Sequence, residues 1–226
     1  MADKITLKDV HVSVTGPDGT RAILRGATAS IHEGEIVALI GPSGSGKTTL
    51  LNVVGGLEPA FAGTVLIDGE PVWNLPDAGR AEVRSKGIGY VFQDFNLIPD
   101  LSVEENLALP LLMQPHPAAE PRARVFELLT RIGLLDSART RADRLSGGER
   151  QRVAIVRALV TQPEIVLVDE PTGNLDEEIG HRVIEILLEY RAQHRATMLI
   201  ATHDERLKQQ ADRTLQLRDG VLHALA

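Results

Sequence analysis

The stretch that decides the fold class runs from Ile36 to Leu50 and reads Ile-Val-Ala-Leu-Ile-Gly-Pro-Ser-Gly-Ser-Gly-Lys-Thr-Thr-Leu. Its first five residues are apolar without alternation, which predicts a buried strand of a parallel sheet. Gly41 to Thr48 then matches G-x-x-x-x-G-K-[ST] at every fixed position, and an apolar helical run follows. The stretch therefore predicts a strand, a phosphate-binding loop and a helix in succession.

The residue types of this loop predict its chemistry. Its glycines let backbone N–H groups close around phosphate oxygens at the positive end of the following helix. Lys47 would reach the β- and γ-phosphates, and the Thr48 hydroxyl would be a ligand of Mg²⁺. The predicted nucleotide-binding residues are Gly41, Pro42, Ser43, Gly44, Ser45, Gly46, Lys47, Thr48 and Thr49. The alternative, a plain Gly/Ser turn with an exposed lysine, is disfavoured by the flanking strand and helix.

The composition is that of a globular protein with one well-buried core and room for an inserted subdomain. The 226 residues are 43% hydrophobic and include no cysteine, which excludes disulfides and thiolate chemistry. The formal net charge of −7 argues against a protein that coats nucleic acid, so we predict no nucleic-acid partner. The sequence shows neither a secretory signal nor an apolar run of membrane-spanning length, and the expected location is cytoplasmic.

Patterns along the chain predict an α/β architecture. Apolar alternation from Ile5 to Val14, with a slip near Asp9, indicates a bulged strand, and Gly16 to Gly19 indicates a turn. A second alternating run, Ala27 to Ile31, completes an antiparallel ribbon. Further short strands are predicted at Thr64 to Ile67 and Ile88 to Phe92, before the character of the chain changes.

Helical patterns dominate the middle of the chain. A helix is predicted over Glu104 to Met113, a proline-rich connection over Gln114 to Pro121, and a second helix that ends at Gly133. Buried-strand patterns resume at Ile165 to Val168 and at Thr197 to Ala201. We therefore predict a phosphate-loop (P-loop) NTPase core with a mostly parallel sheet over residues 1–92 and 163–226, an N-terminal antiparallel β subdomain, and an inserted α-helical subdomain over about 93–162.

A second informative stretch, Leu145-Ser146-Gly147-Gly148-Glu149, precedes a helix that is apolar on nearly all sides. Ser146 and Glu149 have the spacing of a capping box, which would begin any helix. A capping box does not require the two glycines between these residues. Their lack of side chains lets a phosphate approach the backbone at a helix N-terminus. Ser146, Gly147, Gly148 and Glu149 are therefore candidate nucleotide-binding residues.

Two adjacent carboxylates follow the apolar strand that begins at Ile165. The carboxyl ends of strands are where ligands bind in open α/β sheets. Asp169 is placed to hold Mg²⁺, and Glu170 to polarise the water that attacks the γ-phosphate. The alternative is a solvated acidic loop, which the four preceding apolar residues disfavour. His203 ends the next strand and is placed to contact the γ-phosphate, although a capping or packing histidine is the commoner case.

In this order, the motifs resemble those of the ATP-binding-cassette (ABC) ATPase family over essentially the whole chain. Gly41 to Thr48 is similar to the Walker A motif, Leu145 to Gln151 to the signature sequence, and Val168 to Thr172 to the end of Walker B. Gly173 to Asp176 is similar to the D-loop and His203 to the switch histidine. The resemblance implies ATP and Mg²⁺ as cofactors, Glu170, His203, Lys47 and Gln93 as catalytic residues, and Thr48, Gln93 and Asp169 as metal contacts.

Several stretches are most similar to the branch of this family that serves lipoprotein release, macrolide-type efflux and cell division. They are Gly55 to Leu57, Val91 to Gln93, Glu105 to Leu107, Leu145 to Ala154, and Glu170 to Asp176. The resemblance implies a head-to-tail dimer in which Ser146, Gly147 and Gly148 act on the nucleotide of the second copy. It also implies a separate membrane permease, bound at a cleft around Gln93 to Asn96, which would hold the chain at the inner face of the membrane.

One position departs from the family pattern. Relatives place an aromatic residue on the first strand to stack on adenine, and here the aligned position is Val14. We therefore expect stacking that is weakened or supplied by another residue. The predicted function is an ATPase subunit that powers a permease for export, lipoprotein release or force transmission. A soluble cassette that acts on ribosomes or DNA is the alternative, and an amino-acid-type importer is a third reading that the branch-like stretches disfavour.

Overall fold

The computed structural model describes residues 2–16, 19–59, 62–114, 121–173 and 175–225. Parts of three sequence predictions lie outside the described residues: Pro17 and Asp18 of the turn, residues 115–120 of the proline-rich connection, and Asn174 of the D-loop-like stretch. The described strands are β1 (Asp3–Gly16), β2 (Gly19–His32), β3 (Ile36–Ile40), β4 (Ala62–Ile67), β5 (Glu70–Pro71), β6 (Ile88–Val91), β7 (Ile165–Asp169), β8 (Thr197–Ala201), β9 (Arg213–Arg218) and β10 (Val221–Leu225). The described helices are α1 (Lys47–Val54), α2 (Asp77–Gly87), α3 (Val103–Leu112), α4 (Pro121–Arg131), α5 (Gly147–Leu159), α6 (Glu177–His194) and α7 (Glu205–Gln210).

A six-stranded sheet carries the phosphate-binding loop. Its strand order is β10-β9-β3-β8-β7-β6, and every neighbouring pair is parallel except β9 with β10. Val37 of β3 packs in the apolar cluster that contains Leu50 of α1. Ile36 packs on the opposite face, in the cluster that contains Leu187 of α6. Because β3 is covered on both faces, its sequence is apolar throughout, and the predicted parallel strand is confirmed.

The N-terminal ribbon forms a second, antiparallel sheet with the order β2-β1-β4-β5. The predicted bulge is present, since the register of β1 with β2 shifts between Leu7 and Val10. Asp9 lies in this bulge with a φ of 51°, a left-handed value that aspartate adopts more readily than a β-branched residue does. The predicted antiparallel β subdomain is confirmed.

Three helices, α3, α4 and α5, follow one another between β6 and β7. They share an apolar cluster to which they contribute Leu107, Leu129 and Val153 respectively. On another side, α5 places Ile155 in the cluster that contains Val166 of β7. This helix is therefore buried between the helical segment and the sheet, as its apolar sequence predicts. The subdomain boundaries at about residues 93 and 162 stay a prediction.

The sequence analysis predicts neither α2 nor α7. α2 has no fully buried residue, so its sequence lacks the apolar stripe by which a helix is recognised. α7 has only six residues and buries a single one, Leu207, which is too short a pattern to detect. Within the described ranges, no helix is both long enough and apolar enough to cross a membrane.

Candidate functional site

The phosphate-binding loop joins the end of β3 to the start of α1. Gly46 is the N-cap residue of α1 and has a φ of 103°, a left-handed value that favours glycine. A Cβ atom at this position would lie 2.8 Å from Cγ2 of Ile23, so the close approach of β2 also requires glycine. No side chain caps this end of α1, and its first N–H groups are available to an anion.

Lys47 is the first residue of α1, and its buried ammonium group lies at the centre of the site. Its Nζ atom donates a hydrogen bond to the carbonyl oxygen of Gly41 at 2.9 Å and to that of Pro42 at 3.4 Å. The same atom lies 3.3 Å from Nε2 of His203 and 3.8 Å from Oε1 of Glu170. The cation of the loop therefore faces side chains that follow two other strands of the sheet.

Glu170 directly follows β7, and His203 lies two residues beyond the end of β8. These two strands are parallel neighbours in the sheet. Oε1 of Glu170 lies 3.1 Å from Nε2 of His203, and Oε2 accepts a hydrogen bond from the His203 N–H at 3.3 Å. Glu170 has a φ of 47°, and its N–H donates to the carbonyl oxygen of Ala201 at 2.9 Å. Left-handed backbone at a non-glycine residue costs energy and is typical of functional sites.

Asp169 is the last residue of β7, and only 2% of its surface is exposed. Burial raises the pKa of its carboxyl group, while a hydrogen bond from Thr48 and the charge of Lys47 act in the opposite direction. Among the described residues, none is hydrogen-bonded to its buried Oδ1 atom. Carboxylate and hydroxyl oxygens are the hard ligands that Mg²⁺ takes beside substrate phosphates. The Asp169 and Thr48 side chains therefore fit the predicted ion.

One cavity of about 570 Å³ brings these groups together along the loop. Most of the predicted site residues line it, namely Ser43, Gly44, Gly46, Lys47, Thr48, Thr49, Gln93, Asp169, Glu170 and His203. Gly41, Pro42 and Ser45 belong to the loop but do not line this cavity. The carbonyl groups of Gly41 and Pro42 instead hold Lys47, and Pro42 and Ser45 line a neighbouring cavity.

The structure adds two cavity-lining residues that the sequence reasoning did not select, Ile23 and Gly173. Ile23 reaches the cavity because β2 passes close to the loop. No local sequence pattern predicts this contact between distant segments. Gly173 was detectable, because it begins the stretch that resembles the D-loop. Val14, the aligned position of the missing aromatic residue, is 49% exposed and does not line this cavity.

The residues from Ser146 to Glu149 form the predicted capping box at the start of α5. Oε2 of Glu149 accepts hydrogen bonds from the hydroxyl of Ser146 at 2.6 Å and from its N–H at 2.8 Å. Both hydrogen bonds lower the pKa of the Glu149 carboxyl group, and the one from the hydroxyl has the larger effect. None of Ser146, Gly147, Gly148 and Glu149 lines the phosphate cavity of their own chain. A single copy therefore does not bring this stretch to the loop.

Comparisons with known proteins agree with this geometry. Residues 24–173 match the family model described as ABC transporter. The chain is also 40% identical to the lipoprotein-releasing system ATP-binding protein LolD of Shewanella frigidimarina (strain NCIMB 400). That alignment covers 96% of this chain and 91% of the relative.

Two solved structures of one cassette are similar to the whole fold. The dimeric structure of MJ0796, a bacterial ABC transporter cassette, has a TM-score of 0.92 at 38% identity. A dimeric post-hydrolysis state of MJ0796 bound to ADP and Pi has a TM-score of 0.92 at 37% identity. Each covers 97% of this chain and 96% of the other. The predicted fold class and the LolD-like branch are confirmed: the chain belongs to the ABC transporter family, as an ATP-binding and ATP-hydrolysing subunit of a membrane transporter.

Proposed function

We propose that two copies of this chain pair head to tail and hydrolyse MgATP to drive a separate permease in lipoprotein release. The observation that carries the proposal is the separation of two half-sites. Lys47, Glu170 and His203 meet at the phosphate loop, whereas the stretch from Ser146 to Glu149 lies away from the cavity of its own chain. A second copy is needed to complete the site.

The signature-like stretch is suited to a nucleotide held by the second copy. Ser146 caps α5, and Gly147, the first residue of that helix, adds no side chain at its positive end. A Cβ atom added to Gly147 would meet nothing within 4 Å in its own chain, which leaves room for a phosphate. The dimeric structures of MJ0796 support pairing of this kind.

The side chains around the cavity divide the hydrolytic step among them. Lys47 holds the β- and γ-phosphates, and its charge offsets the negative charge that develops as the bond to ADP breaks. Glu170 accepts the proton of the water that attacks the γ-phosphorus. His203, 3.1 Å from Glu170 and 3.3 Å from Lys47, donates a hydrogen bond to the transferred phosphoryl group. Gln93, which lines the same cavity, orients the water.

The metal ion belongs to this proposal as well. Thr48 and Asp169 would hold Mg²⁺ at the phosphate loop, with Gln93 as a further contact. The orphaned oxygen of Asp169 supports this assignment, because a buried carboxylate oxygen without a partner is costly unless a cation or donor satisfies it. When bound, Mg²⁺ neutralises charge on the phosphates and favours the in-line geometry of transfer.

The docking site of the permease would be a groove of about 440 Å³ between α2, β6, α3 and α5. Its rim carries apolar side chains that are unusually exposed, Met113 at 69% and Leu57 at 45%. Phe92 stacks on Tyr90 in this groove, with ring centroids 4.1 Å apart, and directly precedes Gln93. A helix that displaces Phe92 would therefore also shift Gln93 at the catalytic cavity.

Purification from detergent-solubilised membranes tests the partner. We expect a multi-span protein to be recovered with the tagged chain, and less of it with Leu57→Glu or Met113→Glu. Leu225→Glu is the matched control, because Leu225 is 41% exposed but lies outside the groove. Recovery of ribosomes or DNA instead would favour the soluble cassette. In proteoliposomes, MgATP should release a lipidated protein and not its unlipidated form, and equal release of both would contradict the assigned cargo.

A further inference from the structure

We infer that the guanidinium group of Arg21 is the surface on which the base of the bound nucleotide stacks, in place of an aromatic side chain. This inference rests on the proposed nucleotide site and adds to it the residue that holds the nucleoside. Arg21 lies in β2 and is exposed. Three features support its role: the course of the cavity, the pairing of β1 with β2, and the chemistry of the guanidinium group.

The course of the cavity sets the direction of a bound triphosphate. The γ-phosphate must lie near Glu170, at the end of the cavity formed by β7 and β8. The rest of the nucleotide then extends along the loop, where the wall is formed by Ile23 of β2. Ile23, Ser43 and Gly44 also line a second cavity of about 360 Å³, and Arg21 lines that cavity with them. The nucleoside end therefore points past Ile23 toward Arg21.

Strand pairing places Arg21 on the side of the ribbon that faces the loop. Val12 lies opposite Leu24 and Val14 opposite Arg21, and a register shift between these pairs leaves Ile23 as an extra residue of β2, so the shared face is followed along β1. Residues directly opposed in an antiparallel pair share a face, as do alternate residues along a strand. Val12 and Leu24 are buried in the cluster that α1 completes. Val14 and Arg21 therefore lie on the side of the ribbon that faces the core. They lie beyond the edge of the core, so both are exposed.

Only one of these two opposed side chains can stack on a base. Val14 has no π system, whereas the guanidinium group of arginine is planar, delocalised and weakly hydrated, and it stacks on aromatic faces. Its charge also favours a site beside a triphosphate. Because every base has a π face, stacking of this kind distinguishes bases poorly. The assignment of Arg21 therefore agrees with the low base selectivity that the absence of an aromatic residue at Val14 predicts.

Calorimetric titration with ATP, GTP and inorganic tripolyphosphate tests the inference, in a Glu170→Gln background that limits turnover. Tripolyphosphate reports the phosphate site alone, so the ratio of its Kd to that of ATP measures the nucleoside contact. Arg21→Ala should lower this ratio about tenfold, within the range of stacking contributions to base binding. Arg21→Lys keeps the charge but loses the plane, and it should behave like Arg21→Ala.

Matched variants separate stacking from charge. Arg25→Ala removes an equal charge from the same strand, beside the same second cavity, and should leave the ratio unchanged. Adding Val14→Tyr to Arg21→Ala should restore the ratio, because position 14 shares the face of Arg21. Thermal unfolding checks that each variant folds. An unchanged ratio in Arg21→Ala, or no recovery with Val14→Tyr, would overturn the inference. Failure of the wild-type protein to bind ATP and tripolyphosphate would instead overturn the proposed function.

Discussion

A Cβ atom built on Gly148 would lie 2.5 Å from Cδ1 of Ile179, in the first turn of α6. One built on the adjacent Gly147 would meet nothing within 4 Å. The two glycines of the signature-like stretch therefore have different reasons to be glycine. Gly148 lets α5 approach α6 closely, whereas Gly147 leaves an open space at the N-terminus of α5.

Substitution of these glycines should separate stability from activity. Gly148→Ala should destabilise the protein by about 1–3 kcal/mol through overpacking, and lower the Tm by several degrees. Gly147→Ala should leave the Tm unchanged but reduce ATPase activity, because its methyl group would meet the phosphate held by the second copy. Differential scanning calorimetry and a phosphate-release assay measure the two effects.

A second substitution tests whether the contact with Ile179 explains the requirement for glycine at position 148. Ile179→Val removes Cδ1, the atom that the new methyl group would meet, so the double variant with Gly148→Ala should recover stability. Additive losses in the double variant would show that the contact does not explain the requirement for glycine. A lowered Tm in Gly147→Ala would likewise contradict the open surface assigned to that position.

Glu170→Gln should uncouple nucleotide binding from hydrolysis. The amide keeps the size of the side chain but is a poor proton acceptor, so kcat should fall by about 10²- to 10⁴-fold while ATP still binds. Gel filtration with MgATP should then show a dimer that the wild-type protein loses as it hydrolyses ATP. Glu178→Gln, at an exposed position of α6, is the matched control. A Glu170→Gln variant that hydrolyses ATP at the wild-type rate would contradict the role of this carboxylate.

The valine at position 14 predicts low base selectivity. Without an aromatic platform on β1, the nucleotide is held chiefly by its phosphates and by a stacking contact that accepts any base. Hydrolysis of MgATP and MgGTP should therefore have similar values of kcat/KM. A strong preference for ATP would contradict this prediction, and it would point to hydrogen bonds with the edge of adenine.

The ion pair of Asp204 and Arg206 should make stability depend on pH. Hydrogen bonds from Arg206 to this carboxylate lower the pKa of Asp204 to about 2. Because the folded pKa lies below the unfolded value of about 4, the stabilisation is complete above pH 4 and is lost as the pH falls toward 2. Asp204→Asn should cost about 1–2 kcal/mol at pH 7, measured by urea unfolding, and progressively less below pH 4.

Two further measurements isolate this pair. Asparagine also serves as an N-cap, so Asp204→Asn largely preserves the capping of α7 and reports the loss of charge. Arg206→Gln should produce a similar loss, and adding it to Asp204→Asn should cost little more. A deficit in Asp204→Asn that stays constant from pH 7 to pH 3 would show that the ion pair is not its origin.

Much of the fold was predictable because its signals are local. The apolar run of β3, the bulge at Asp9 and the capping box at Ser146 each depend on neighbours in the sequence, whose spacing is visible. The same holds for the position of Glu170 immediately after β7. α2 was not predictable, because a helix with no fully buried residue carries no periodic apolar pattern.

By itself, the sequence determined the elements of this protein and the chemistry available at their ends, because periodicity and motif spacing act over a few residues. Only the tertiary structure decided which of those ends meet. The order β3-β8-β7 places His203 and Glu170 within 4 Å of Lys47, and the register of β1 with β2 places Arg21 opposite Val14. These contacts depend on pairing between distant strands, and a one-residue change of register would turn Arg21 to the other face.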